Sequence, residues 1–307
     1  MFQAFPVGPF LIWTSVVFLL IGIWVSTEFF LRLANAAHLS LQHFQDHALR
    51  YLVAFLLGGR FFAIVAQYLS YWREPLRVFI FWDGGFDFIG GAIGVGIVLF
   101  WATRSHRATF LQWLDALLPA VCLGLAFSWF GLFFAGHAYG SPTDVLWAVT
   151  YDALTVRYTV PIHPVQLYFA LFYFLLTFVL LIIRKNAKRA GTETLIGILC
   201  ASIGTIVLEY FRGDFAIPVF ATSLDFVILL FLFLSLGIFA AVDYLLSRRL
   251  MMVYQAVLLV IFGGYAILRS QLDLQTYELR FSQFLAVLAL LATVVYVTVH
   301  RQRHPHL

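Results

Sequence analysis

Nine long apolar runs, near residues 9–30, 48–71, 86–103, 110–135, 163–183, 194–212, 219–246, 251–268 and 282–299, constrain this 307-residue chain more than any other feature. A hydrocarbon core about 30 Å thick is crossed by roughly 20 helical residues, and each run is of that order. The runs are uniformly apolar rather than alternating, and a helix satisfies its own backbone hydrogen bonds in lipid. The expected fold is therefore all-α, a polytopic transmembrane helix bundle. Composition excludes the soluble alternative: 11% of the residues are charged and 63% hydrophobic, against about 25% charged in soluble domains.

Cytoplasmic loops retain Lys and Arg. Arg32, Arg50, Arg104, Arg107, Arg184, Lys185, Lys188, Arg189, Arg248, Arg249, Arg301 and Arg303 fall on one face, and Arg73, Arg77, Arg157, Arg212, Arg269 and Arg280 on the other. This imbalance predicts an N-terminus outside and a C-terminus inside, with the two long polar connections, 72–87 and 136–162, on the outer face. The net charge of +4 forms no continuous basic stripe, so nucleic acid is not an expected partner. Cys122 and Cys200 each lie within an apolar run and neither has a CxxC or CxxH neighbour, which disfavours a disulfide framework or a thiolate metal site. Nothing basic precedes Arg32, so the first run lacks a secretory n-region and reads as a retained span. The composition changes after about residue 247, where two further spans follow an Arg pair. Residues 248–307 are expected to form an extension ending in a basic tail, and His300, His304 and His306 read most simply as inner-surface anchors, with a metal-binding tail as the minor alternative.

Polar residues inside such runs are costly and mark candidate sites. Arg60 lies mid-span with Gln67 on the same helical face; it either pairs structurally or faces a polar pathway. Gly58 and Gly59 beside it permit close helix approach. Four glycines in eight positions, Gly84, Gly85, Gly90 and Gly91, interrupt the start of the third run. They can turn helix N-terminal amides toward an anion such as a lipid phosphate, or simply pack. His163-Pro164-Val165-Gln166-Leu167-Tyr168 opens the fifth run, with Pro suited to a first helical turn and His163 and Gln166 on one face. Glu209-Tyr210-Phe211-Arg212-Gly213-Asp214 closes the sixth, with Glu209 and Arg212 in i, i+3 reach of an ion pair. His137, in Gly136-His137-Ala138-Tyr139-Gly140, can act as a base when neutral or be an ordinary surface histidine.

In order and spacing these segments resemble the prolipoprotein diacylglyceryl transferase family. The resemblance rests on Gly58-Gly59-Arg60, Trp82 through Gly85 with Gly90-Gly91, Asp115 through Pro119, Gly136 through Gly140, His163 through Tyr168, and Glu209 through Arg212. It covers about residues 8–247, seven spans, the family's number. It implies a domain 1–247 that moves a diacylglyceryl group from phosphatidylglycerol to the lipobox cysteine of a preprolipoprotein in the bacterial inner membrane, releasing glycerol phosphate. The implied partners are phosphatidylglycerol, the preprolipoprotein signal peptide and membrane lipids; no cofactor or metal is implied.

Several of the family's polar positions are replaced: Ile89 stands for the histidine of its His-Gly-Gly motif, Trp129 for an arginine, Leu132 and Ala135 for asparagines and His137 for a glutamate. Thr205 stands for the arginine four residues before the retained Glu209, and Thr14 for an aromatic hydroxyl. Thioether formation needs a cation at the departing phosphate and a base for a thiol of pKa about 8.5. His137 and Glu209 are the expected catalytic residues, with His137 as the expected base. Arg60, Gly90, Gly91, Tyr139, Gly140, His163, Gln166 and Arg212 are the expected lipid-phosphate and substrate contacts. The replacements also admit a second reading, a paralogue that binds phospholipid or a lipoprotein signal helix without transfer.

Overall fold

A computed structural model describes residues 4–7, 10–40, 42–80, 86–103, 107–152, 156–187, 189–215, 218–242, 248–271 and 275–303. Trp82 through Gly85, His304 and His306 lie outside these residues. The described chain is a multi-pass, all-α membrane protein, with α1 (Thr14–Ala36), α2 (Gln42–Ala66), α3 (Tyr68–Arg73), α4 (Phe88–Ala102), α5 (Arg107–Ala135), α6 (Val165–Asn186), α7 (Thr192–Glu209), α8 (Ser223–Val242), α9 (Arg248–Gln271) and α10 (Phe281–Arg303). Seven of these helices are long and apolar enough to cross a membrane; α4 and α8 contribute shorter apolar stretches. At 1.5 Å per residue, the 15 residues of α4 reach about 22 Å, short of a hydrocarbon core of about 30 Å.

Each apolar run holds a helix, but two begin later than their hydropathy suggests. Residues 10–13 form β2 (Phe10–Trp13), paired antiparallel with β1 (Ala4–Val7). That ladder engages the backbone of residues 10–13, and α1 starts only at Thr14. Likewise Pro218–Thr222 is a strand, β3, paired antiparallel with β4 (Thr276–Arg280) in the register Pro218↔Arg280 to Thr222↔Thr276. A reciprocal cap ends the strand and opens α8: the Thr222 amide donates to Asp225 Oδ2 (2.7 Å) and the Asp225 amide to Thr222 Oγ1 (3.2 Å), the arrangement expected of a capping box.

Packing divides the chain into two compact units, Met1–Ala201 with Tyr210–Ile217, and Ser202–Glu209 with Pro218–Leu307. This division falls earlier than the compositional change at 247. In the first unit α1 packs on α5, α5 on α6, and α2 on α4. The α2–α4 contact needs small residues: a Cβ on Gly90 would lie 2.5 Å from the Gly58 carbonyl oxygen, and one on Gly94 would strike the Ala54 carbonyl. Association in lipid gains from such close backbone approach, since the apolar effect between helices is weak there. Asp115, buried in α5, closes the turn between α6 and α7. It accepts from the Gly191 amide (2.6 Å), the Thr194 amide (2.9 Å) and the Thr194 hydroxyl (2.6 Å), which satisfies donors at the α7 N-terminus. In the second unit α8 packs against α10, alongside the β3–β4 ladder.

Candidate functional site

Three sequence segments that are individually weak signals converge in the first unit. Gly140 forms an antiparallel bridge with Arg212. The Ser141 amide donates to the Phe211 carbonyl (2.9 Å), the Gly213 amide to the Tyr139 carbonyl (2.9 Å) and the His163 amide to the Ser141 carbonyl (3.0 Å). Segment 136–141 is thus held between the start of α6 and the stretch after α7. The junction admits no side chain at Gly140, where a Cβ would meet the His163 carbonyl and lie 2.8 Å from Val165 Cγ2. Beneath it Tyr139, Tyr151, Val156 and Ile162 form a small buried core. The Tyr151 hydroxyl donates to the Phe133 carbonyl (3.0 Å); burial pushes this phenol above its ordinary pKa, with the Gln166 side chain opposing.

The side chains on this frame have defined partners. Arg212 makes a two-point ion pair with Asp214, Nε to Oδ1 at 3.0 Å and Nη2 to Oδ2 at 2.6 Å. Its guanidinium also lies 5.8 Å from the centroid of the Trp129 ring, within cation–π range. Trp129 in turn stacks on Phe169 at 4.2 Å and 9°. His163 Nδ1 is 3.2 Å from the Tyr168 hydroxyl, which also accepts from Trp147 Nε1 (2.6 Å). Burial lowers the His163 pKa, so the neutral imidazole is favoured. Gln166, fully buried, donates from Nε2 to the His137 carbonyl (2.8 Å). That carbonyl sits between the positive-φ residues Gly136 (φ 70°) and Ala138 (φ 54°), while the His137 side chain is exposed.

Other expected contacts have different surroundings. Arg60 is buried at 4% exposure, and its guanidinium donates to the carbonyls of Arg77 (2.6 Å), Ile80 (2.9 Å) and Val78 (3.3 Å), with Tyr71 and Phe86 rings nearby. It fastens the turn Pro75–Phe79 to α2. The Gly90 and Gly91 amides, expected to face an anion, donate to Asp87, at its Oδ1 (2.8 Å) and its carbonyl (3.1 Å). Both glycines are buried and serve the α2–α4 contact. Arg212 pairs with Asp214, two residues on, and Glu209, 3% exposed in the second unit, pairs with Arg280 at 3.7 Å.

Among the replaced positions, Thr14 and Ala135 are buried, Leu132, Thr205 and Trp129 half-buried, and Ile89 exposed. Among the described residues no group of three or more His, Cys, Asp or Glu side chains gathers in a way that would hold a metal. The contributions of Asp214, Trp129 and Arg280 were not legible as site features. Trp129 reads only as a lost arginine, and Arg280 lies 71 residues from Glu209 in the chain.

A family model described as prolipoprotein diacylglyceryl transferase matches residues 3–299, a match that runs across residue 247. Curated relatives carry the name phosphatidylglycerol–prolipoprotein diacylglyceryl transferase. That of Polynucleobacter necessarius is 34% identical over 128 residues, 41% of this chain and 48% of the relative. That of Pseudoalteromonas atlantica is 33% identical over 159 residues, 51% and 56%, and that of Idiomarina loihiensis 31% identical over 175 residues, 56% and 65%. The chain thus spans about half to two thirds of the length of these relatives.

Proposed function

The chain belongs to the prolipoprotein diacylglyceryl transferase family, and from that membership we propose that it transfers a diacylglyceryl group from phosphatidylglycerol to the lipobox cysteine thiol of a preprolipoprotein. The observation that most supports this reading is the junction of segments 136–141, 163–168 and 211–214 through Gly140, Ser141 and His163. In the reaction the cysteine sulfur bonds to the glyceryl carbon that carries the phosphodiester. The carbon–oxygen bond breaks with its electron pair leaving on the phosphate, and glycerol phosphate departs. Arg212, held on Asp214 and Trp129, is the cation assigned to the departing phosphate. The thiol proton passes to Glu209, with His137 as the alternative acceptor. Tyr139, Gly140, His163 and Gln166 shape the headgroup site, and Gly90, Gly91 and Arg60 hold the α2–α4 pair and its adjoining turn. On this reading residues 1–247 are the transferase-like domain and 248–307 an extension. The protein lies in the bacterial inner membrane with its N-terminus outside and its C-terminus in the cytoplasm.

A second reading, a paralogue that binds phospholipid or a signal helix without transfer, is favoured by two observations. The Arg60 guanidinium donates to three backbone carbonyls, and Arg212 already faces a carboxylate. Mass spectrometry of a lipobox peptide incubated with the purified protein in phosphatidylglycerol bilayers, against a heat-treated control, separates the two. A diacylglyceryl adduct on the peptide cysteine is the expected result. Folded protein that retains phosphatidylglycerol and forms no adduct would sink the transferase reading in favour of the second.

A further inference from the structure

We propose that Arg280 is a positioning residue for Glu209, supplied by the segment beyond residue 247 and holding that carboxylate for its task as thiol-proton acceptor; the inference rests on the transferase reading above. Arg280 ends β4, opposite Pro218 in the ladder, and directly precedes α10. Its Nε is 3.7 Å from Glu209 Oε2, with the side chains 16% and 3% exposed. The position of the arginine is fixed by its neighbour in the next turn. Gln283 Oε1 accepts from the Arg280 amide (3.0 Å), and Gln283 Nε2 donates to the Ile206 carbonyl in α7 (3.1 Å). One glutamine therefore caps α10 and fastens its start to the last turn of α7, the turn that carries Glu209.

The physical need for such a cation is plain. A carboxylate this buried is costly without opposite charge or donors around it. An arginine at position 205, four residues before Glu209, would sit one turn away on the same helical face, but that position holds Thr205. The guanidinium reaches Glu209 from β4 instead. Arg280 also meets the carboxylate through a ladder and a helix cap, both rigid, so it sets the direction of the carboxylate as well as its charge environment. A lysine there would keep the charge and lose the planar fork.

The test uses the full chain in phosphatidylglycerol vesicles with a lipobox peptide, comparing wild type with Arg280→Gln, Arg280→Lys, Glu209→Gln, Arg280→Gln/Thr205→Arg and Glu209→Gln/Arg280→Gln. Arg280→Gln should lower kcat by about 100-fold or more, the scale of a misplaced general base, and leave KM for peptide and lipid unchanged. Arg280→Lys should be intermediate, and adding Thr205→Arg to Arg280→Gln should restore part of the rate. In a Glu209→Gln background, Arg280→Gln should cost nothing further. Wild-type kcat in Arg280→Gln, a loss confined to KM, or additive losses with Glu209→Gln would each overturn the proposal. If Arg280→Gln does not fold, Arg280→Lys decides, with a lowered kcat at unchanged KM in support and a wild-type kcat against. Wild-type protein that transfers nothing would overturn the transferase reading alone. The pairing is then judged by melting temperatures, where non-additive losses for the Glu209 and Arg280 variants support it and additive losses overturn it.

Discussion

Replacing Gly140 with alanine should pry apart the junction on which the headgroup site is built. The added Cβ would lie 2.7 Å from His163 Cβ and 2.8 Å from Val165 Cγ2, and would overlap the His163 carbonyl. These neighbours cannot easily yield. The His163 amide is bonded to Ser141 on one side and its carbonyl accepts from the Val165 amide (2.9 Å) on the other, and Val165 is fully buried. On the far side a Cβ at Gly213 would itself lie 2.5 Å from the Gly140 carbonyl oxygen, so Gly140 cannot retreat in that direction. Overpacking of this kind costs about 1–3 kcal/mol. At about 2–4 °C per kcal/mol, the melting temperature in phosphatidylglycerol nanodiscs should fall by several degrees, followed by tryptophan fluorescence. Because the strain acts between His163 and the Arg212 segment, transfer to the peptide should fall at least tenfold at a temperature where the variant is still folded. Ser141→Ala is the control: it loses a single hydroxyl contact to the Phe211 carbonyl at 3.2 Å, about 1 kcal/mol, without wedging the segments apart. A Gly140→Ala variant that melts with wild type and transfers at its rate would refute the reasoning.

Two further outcomes are expected elsewhere in the first unit. Asp115→Ala leaves three donors at the α7 N-terminus without their acceptor and should destabilise by at least about 3 kcal/mol; faster amide exchange at residues 191–195 would report it, while Asp115→Asn, which keeps one oxygen, should be milder. His163 titrates below its ordinary value in the folded protein because burial disfavours its charged form, so on acidification the unfolded chain binds the proton first. Stability from this residue is complete above the ordinary histidine value near 6.5 and falls as the pH drops from there toward the lowered folded value. Wild type should therefore lose more melting temperature than His163→Gln between neutral pH and pH 5, and equal losses would contradict the assignment.

Much of the architecture was legible because a bilayer leaves the chain few choices. Apolar runs must be helical, and each of the nine contains a helix. What hydropathy could not mark was where a run stops being helix. Phe10–Trp13 and Pro218–Thr222 are apolar like the helices they precede, and their strand conformation goes with their pairing, the first with Ala4–Val7 and the second with Thr276–Arg280, more than 50 residues away, where a capping box at Thr222 ends the strand. The site was legible in its segments and not in its pairings. Arg212 meets a carboxylate two residues away, and Glu209 meets a guanidinium from near the far end of the chain. Spacing arguments see only neighbours on one helix.

The replacement at Trp129 has a similar logic. Beside Arg212, a second guanidinium at the 5.8 Å now separating that cation from the Trp129 ring would be repelled by about 3 kcal/mol at an effective dielectric near 20, with Asp214 already engaged. An indole at the same place attracts the cation through its face and fills the space against Phe169 at 4.2 Å. The loss of one positive charge is thus coupled to the holding of the other. Restoring arginine at position 129 alone would not recover a site with two phosphate-binding cations, because the neighbourhood that would have to balance the second charge holds Leu132 and Ala135 in place of polar groups. The junction thus holds the Arg212 guanidinium between the Asp214 carboxylate and the face of Trp129.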